Sequence, residues 1–295
     1  MNRLAALVGS DRPVVLDGGM GTLLQDSGLD DGGAGELWNL ERPEVIRDAH
    51  TAYADAGARI LTTNTFGGTR PRLDMHDLGD RLHEINAAAA RIAREVADER
   101  GLLVAGDLGP TGELLEPLGT LDAAGAQALF EEQLRGLAEG GIDVVLIETM
   151  SDLGEAQAAI AAAKAVVPDL PIIATLSFDT NLRTMMGVRP GEAVVALAEA
   201  GADAVGANCG RGPEEMETIA QQLADARSGD LLLVAQSNAG LPQVVGDHFE
   251  YDATPDDLAA HAAALADIGI DLIGGCCGST PAHVAAVSGL LAARA

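Results

Sequence analysis

Three cysteines carry the most specific chemistry in this 295-residue chain. Cys276 and Cys277 are adjacent in DLIGGCCGST, and Cys209 stands alone in GANCG. An odd count with a neighbouring pair is not a disulfide framework. Brought together, three thiolates suit a soft, zinc-like cation better than magnesium or calcium. Three protein ligands leave the fourth tetrahedral position of zinc open, which marks a catalytic rather than a structural site. A thiol entering that position would lose its proton, and three anionic neighbours would keep its sulfur nucleophilic. The chemistry this suggests is alkyl transfer to a thiol. The bland alternative is three small buried apolar side chains.

The elements that position these residues decide between the two. Apolar, β-branched runs begin at 14, 59, 102, 144, 171, 204, 231 and 272, and alanine-rich helical stretches separate them. Helices are expected over 44–57, 81–99, 122–140, 152–166, 191–200, 213–227, 256–268 and 281–293. Several open with Pro, Asp or Glu in the first turn, as in GPEEMETI and TPDDLAAH. Continuously apolar strands indicate burial on both faces and therefore parallel pairing. Eight βα units in a chain of this length predict an α/β fold, a (β/α)8 TIM barrel, with an open doubly wound sheet as the alternative. No linker or composition break divides residues 1–295, so a single barrel domain is expected.

In a barrel the cysteines gather. Polar and glycine-rich residues cluster at the C-terminal strand ends (DGGMGT, NTF, GDLGPTGE, ETMSD, NCG, NAG, GGCCG), where barrel enzymes place catalysis. Cys209 ends the sixth strand and Cys276/Cys277 the eighth, roughly 10 Å apart at ~4.8 Å per strand. Adjacent strand residues face opposite ways. Both paired thiols can turn to the axis only if the backbone leaves the pleat, and Gly274, Gly275 and Gly278 permit that. All three cysteines therefore fall at one rim, which favours a zinc site.

Charge excludes some partners. The chain has 18 basic and 45 acidic residues, a net charge of −27, and Lys164 is its one lysine. Such a surface repels nucleic acid and anionic membranes. The first residues hold too short an apolar run for a signal peptide, and no segment is apolar enough to span a bilayer, so a soluble, cytoplasmic protein is expected. A homo-oligomer is compatible with the sequence.

The motifs LDGGMGT, TNTFGGT, GPTGELLEPLG, IETMSD, GANCG, NAGLP and GGCCGSTPAH occur in this order. Together they resemble the homocysteine S-methyltransferases, over essentially the whole chain. The resemblance implies a Zn2+-dependent barrel that methylates homocysteine to methionine. It assigns Cys209, Cys276 and Cys277 as zinc ligands. It assigns Asp17, Gly18, Gly19, Thr65 and Glu148 to homocysteine. The chemistry agrees: Glu148 can pair the ammonium, and backbone N–H groups of the DGG turn can meet the carboxylate.

The methyl donor is open. The sequence ends after the barrel, so the expectation is a stand-alone enzyme with a small onium donor such as betaine or S-methylmethionine. The alternative is a separate methyl-corrinoid protein docking on the barrel; a zinc barrel acting on another thiol or selenol is the broader rival. Only seven aromatic residues exist, and five fall at strand C-terminal ends or the loops after them: Trp38, Phe66, Phe178, Phe249 and Tyr251. Aromatic faces hold quaternary ammonium groups. Trp38, in GELWNLERPE, resembles the donor-contacting tryptophan of betaine-using relatives. The stretches ELWN and SFDTNLRTMMGV resemble the stand-alone bacterial betaine–homocysteine methyltransferases. Trp38, Phe66 and Tyr251 are therefore the expected donor contacts. His248 and Arg183 are weaker candidates for the donor. His50, His76, His83, His261 and His283 read as helix or surface residues.

Overall fold

A computed structural model of the protein describes residues 3–10, 13–30, 32–245 and 248–294. Its helices are α1 (Arg3–Ser10), α2 (Met20–Asp26), α3 (Trp38–Glu41), α4 (Pro43–Asp55), α5 (Arg70–Asp74), α6 (Leu82–Arg100), α7 (Ala123–Gly140), α8 (Leu153–Val166), α9 (Pro190–Ala200), α10 (Pro213–Ala226), α11 (Pro255–Ile268) and α12 (Pro281–Ala292). Its strands are β1 (Val14–Val15), β2 (Ile60–Thr62), β3 (Leu103–Leu108), β4 (Val144–Met150), β5 (Ile172–Leu176), β6 (Ala204–Cys209), β7 (Leu232–Ser237), β8 (Gln243–Val245), β9 (His248–Glu250) and β10 (Leu272–Gly275).

Eight of these strands form one parallel sheet in the order β1-β10-β7-β6-β5-β4-β3-β2. The two ends meet. Leu16 bridges Ile60 in parallel, and Arg59 donates its N–H to Val15 O at 2.8 Å. The sheet thus curls into the (β/α)8 barrel that the sequence predicts. Strands β8 and β9 pair antiparallel as a hairpin after β7, outside the barrel. Each predicted helix is present with ends shifted by a residue or two. Among the described residues no helix is long and apolar enough to cross a membrane.

A short repeat sets the barrel's lower edge. GIDVV, GADAV and GIDLI each place an Asp just before a strand. Asp143 Oδ2 accepts the N–H of Val104 at 3.0 Å, Asp203 Oδ2 that of Ile172 at 2.9 Å and Asp271 Oδ2 that of Leu233 at 2.9 Å. Each carboxylate therefore satisfies the first free donor of the preceding strand and fixes the stagger between neighbours.

Two apolar layers follow from strand alternation. Val15, Leu61, Val104, Val145, Ile173's neighbours Ile172 and Ala174, and Ile273 pack outward against the helices. Val14, Ile60, Leu103, Val144, Ile173, Ala204 and Leu272 fill the interior. Leu4 and Val8 of α1 join that interior layer. A helix not anticipated from the sequence thus plugs the N-terminal end of the barrel, and Arg3 pairs with Asp143 there. Leu4 is fully buried. Leu4→Ala should cost about 2–5 kcal/mol in urea unfolding. An unchanged unfolding midpoint would mean that α1 is not part of the core.

Candidate functional site

The interior changes character towards the C-terminal strand ends. Residues in phase with the apolar layer become Asp107, Glu148, Thr175, Asn208 and Gln236. They approach or line a cavity of about 500 Å³ at that end, whose wall includes Asp17, Thr65, Asp107, Glu148, Gln236 and all three cysteines. This catalytic-face position is the one expected for a barrel enzyme.

The cysteines converge by leaving the pleat at two places. Asn208 faces the axis, so a regular strand would turn Cys209 outward to the helices. Cys209 instead has φ 63°, in the left-handed region, and lines the cavity. That conformation is uncommon for a residue with a Cβ. On the other strand the ladder ends at Gly275, and Gly278 at φ 76° completes a turn that carries Cys276 and Cys277. The turn is tightly held: Cys276 N–H donates to Ser237 O at 2.8 Å. Cys277 N–H donates to Asn238 Oδ1 at 3.0 Å, and Asn238 Nδ2 reaches Gly210 O at 2.8 Å. One asparagine thus ties both cysteine turns together. A Cβ at Gly19 would lie 2.7 Å from Cys276 O, so only glycine allows the first loop to pack there.

Cys209 Sγ lies 3.9 Å from Cys277 Sγ, and Cys276 Sγ lies 4.0 Å from Cys277 Sγ. All three sulfurs fall within 4.8 Å of one another. Zinc–sulfur bonds of about 2.3 Å set tetrahedral sulfur–sulfur edges of about 3.8 Å. The triad therefore comes close to the spacing that one thiophilic metal ion needs, and it is too open for a disulfide. Hydrogen bonds from Cys276 and Cys277 hold the Cys209 thiol down at about 3. The reciprocal bond with Cys209 pushes Cys276 up and pushes Cys277 to about 12. Three adjacent thiols favour one charge; a divalent cation is what ionises all three.

Beside the triad sit carboxylates without an ion-pair partner, although Arg72 and His76 line the same cavity. Burial raises Glu148 to about 8, with Asp17 and then Cys209 adding to the effect. Burial raises Asp17 to about 6, against hydrogen bonds from Thr62 N at 2.6 Å and Thr62 Oγ1 at 2.7 Å. Burial, then Glu148, raises Asp107. Glu148 is partly exposed, but it is exposed towards the cavity. Among the described residues these three form no salt bridge with Lys, Arg or His. A cationic ligand is the complement such a site lacks.

The structure brings most of the expected residues together. Asp17, Gly18, Gly19, Thr65, Phe66 and Glu148 line the same cavity as the cysteines. Details differ from the sequence-based expectation. The Gly19 N–H donates to Ser279, to its O at 3.3 Å and its Oγ at 3.1 Å, so it is engaged within the fold rather than offered to a ligand. The Thr65 hydroxyl donates to Asp107 O at 2.9 Å, fixing the end of β3. Tyr251 stands near the cysteines, where burial and then the Cys277 sulfur raise its hydroxyl pKa. It is not on the cavity wall.

Trp38 is the main departure. It packs with Leu24, Ile46 and Ile92, outside the cavity, and the Arg42 guanidinium lies 4.0 Å above its ring. Its cation-binding face is already occupied by the chain's own arginine. Trp38→Ala should therefore lower stability by about 2 kcal/mol, below a full core truncation because Trp38 is half-buried, and leave the donor KM unchanged. A raised donor KM at unchanged unfolding midpoint would return Trp38 to the donor site. Phe178 is buried in the core, and the side chains of His248 and Phe249 lie outside the described residues. Arg183 bonds Gly187 O at 3.2 Å and is not part of the cavity wall.

Three histidines read as helix or surface residues are buried. His50 has neither ring nitrogen bonded, and burial lowers it to about 4. His261 bridges Ser237 Oγ at 2.7 Å and Glu217 at 2.9 Å. His283 caps α12 through Thr280 and reaches Ala253 O at 3.0 Å. Sequence reasoning gave Asp107, Asn208, Gln236 and Asn238 no individual role, although GDLGPTGE, NCG and NAG contain three of them. The first three were detectable: each continues the inward period of its strand one step beyond the apolar positions.

A barrel that gathers three thiols within metal-ligating reach of one another, beside carboxylates at the C-terminal strand ends, defines a candidate metal-thiolate site. Residues 14–291 match the homocysteine S-methyltransferase family. The chain belongs to that family. It is 36% identical over 299 residues to methionine synthase of Mycobacterium tuberculosis, covering 96% of this chain and 25% of that protein. For methionine synthase of Mycobacterium leprae the identity is 34%, with 96% and 24% covered. The chain thus spans about a quarter of the length of the curated relatives it matches. Among solved structures, the metallated form of the homocysteine methyltransferase MmuM from Escherichia coli superposes with a TM-score of 0.81 at 26% identity, both chains covered in full. A methyltransferase from Methanosarcina mazei shares the fold, with a TM-score of 0.61 at 14% identity.

Proposed function

We propose that the chain transfers a methyl group from a small onium donor to the sulfur of homocysteine, giving methionine, with Zn2+ held by Cys209, Cys276 and Cys277. The observation that carries the reading is the thiol triad, at 3.9 and 4.0 Å spacings, opening into an acidic cavity. Family membership and the likeness to a metallated homocysteine methyltransferase support it.

When bound, zinc supplies a lowered pKa for a substrate thiol, so that the nucleophile is thiolate at neutral pH. The rest is done by the protein's own residues. Glu148 and Asp17 pair the substrate ammonium, which fixes the amino-acid end and aims its side chain at the rim. Transfer from an onium releases a neutral amine or sulfide, so no general acid is required. His50, His261 and His283 are buried away from the cavity or bonded within the fold, and His76 is the one histidine on the cavity wall among the described residues.

Betaine is the donor the sequence favours, chiefly through Trp38. With Trp38 outside the cavity wall, betaine stands level with sulfonium donors inside the onium class. Incubating the purified, zinc-supplemented chain with homocysteine and each of betaine, S-methylmethionine, dimethylsulfoniopropionate and methylcobalamin, and measuring methionine, tests the reading. Turnover with at least one onium compound is expected. Turnover with methylcobalamin alone would replace the onium reading with the corrinoid one.

A further inference from the structure

The wall facing the cysteines carries charge that a single substrate ammonium leaves unmatched. Around the barrel the strands run β1, β2, β3, β4, β5, β6, β7, β10. The cysteines end β6 and β10, so their midpoint falls at β7, and β3 lies diametrically across the mouth. Asp107 is the inward residue near the end of β3. It is 3% exposed, it lines the cavity, and its Oδ1 has no hydrogen-bond partner. Gln236, on β7 itself, is 4% exposed and likewise leaves its Oε1 unpartnered on the cavity wall. Glu36 lines the cavity near Asp107, its Oε1 accepting the Gly67 N–H at 2.6 Å. Homocysteine brings one ammonium, and Asp17 with Glu148 absorbs it. Asp107 would then remain a buried carboxyl group without an ion pair, because Arg72 and His76, the basic side chains on the cavity wall, make no recorded bond to it among the described residues. Two unpartnered, buried acceptors on facing walls point to a second, cationic ligand.

Resting on the function proposed above, we infer that Asp107, with Glu36 beside it, is the seat for the onium centre of the methyl donor. Position supports this. A nucleophilic sulfur held at the cysteine side presents its free lone pair across the mouth, towards β3. In-line displacement places the donor on that side. Phe66 supplies the apolar companion surface: it lines the same wall, and its ring packs where a Cβ on Gly109 would stand. Among the described residues it is the only aromatic side chain on the cavity wall. Recognition is therefore by carboxylate charge with one ring, rather than by an aromatic cage.

The chemistry gives this seat a distinct kinetic signature. The sulfur lone pair forms the new S–CH3 bond. The bond from the methyl carbon to the donor's nitrogen or sulfur breaks, and its electron pair stays on that atom, which leaves neutral. Positive charge at the onium centre is thus largest in the bound donor and fades in the transition state. A carboxylate beside it stabilises the ground state at least as much as the transition state. Loss of Asp107 should raise the donor KM with kcat unchanged or slightly higher.

Binding of tetramethylammonium, an unreactive onium, to the zinc-supplemented protein saturated with homocysteine tests the seat without turnover. Calorimetry should show binding to the native chain and about tenfold or weaker binding to Asp107→Asn, the loss expected for a charged partner. The homocysteine dissociation constant should change less than about twofold on the same grounds. tert-Butanol, a neutral molecule of similar shape, should not compete. Equal binding of tetramethylammonium to both proteins, no binding to either, competition by tert-butanol, or an equal loss of homocysteine affinity would each overturn the assignment. If Asp107→Asn fails to fold, Glu36→Gln carries the same readouts with the same expected direction. Failure of methionine synthesis with every donor would count against the proposed function, while this binding measurement still reports on the seat.

Discussion

Replacing Cys277 with alanine should remove metal and activity together and leave the fold intact. Each sulfur occupies one corner of a set with edges of 3.9 and 4.0 Å. Two remaining thiols cannot enclose a cation at that spacing. Even outer-shell partners of a metal ligand cost about 10–100-fold in affinity when lost, so loss of a ligand should exceed that. The barrel core does not use these residues: its two apolar layers are built from strand and helix side chains below the rim. The same outcome is expected for Cys209→Ala and Cys276→Ala. Metal analysis after gel filtration, together with circular dichroism and a methionine assay, checks it. Full retention of one metal per chain in Cys277→Ala would remove that residue from the ligand set.

Glu148→Gln should carry the second-largest effect, and in the amino-acid substrate rather than the donor. A lost charge-assisted hydrogen bond is worth about 1.5–3 kcal/mol, or about 10–150-fold in the homocysteine KM. The variant also has a pH signature. Burial holds Glu148 at about 8 in the folded chain, against a usual value of 4.5. A carboxyl raised on folding binds its proton more tightly in the native state. Native stability from this group is therefore full below about 4.5 and declines as pH rises towards 8. Ligand affinity moves the other way: the charged form that pairs an ammonium gains population through the same window. Methionine, which shares the ammonium but has no ionisable thiol, should bind the native protein more tightly as pH rises from 6 to 8. Glu148→Gln should flatten that slope. A slope that persists in the variant would assign the titration to another group.

The fold was legible because its signals are local and repeated. Eight apolar runs separated by alanine-rich helices mark parallel strands, and the barrel follows from their number. Missing from that pattern was α1, a short N-terminal helix whose role as a plug depends on a barrel bottom no local signal reveals. The thiol cluster was legible because cysteine is rare here and each one falls at a strand end. How Cys209 reaches the axis was not, since its left-handed φ of 63° is set by packing at the rim. The carboxylates divide in the same way. Glu148 stands out beside IETMSD, whereas Asp107 shows its meaning only once β3 is known to face the cysteines. For Trp38, proximity in sequence to a catalytic loop does not say which way a ring turns. Arg42, four residues on, gives that ring a partner within the fold.

X-ray absorption at the zinc edge of the reconstituted protein tests the central claim most directly, namely that three cysteines form one metal centre with room for a substrate thiol. The account predicts three sulfur neighbours at about 2.3 Å without substrate, and a fourth sulfur at a similar distance once homocysteine is added. A shell containing fewer than three sulfurs, or one that homocysteine leaves unchanged, would contradict it.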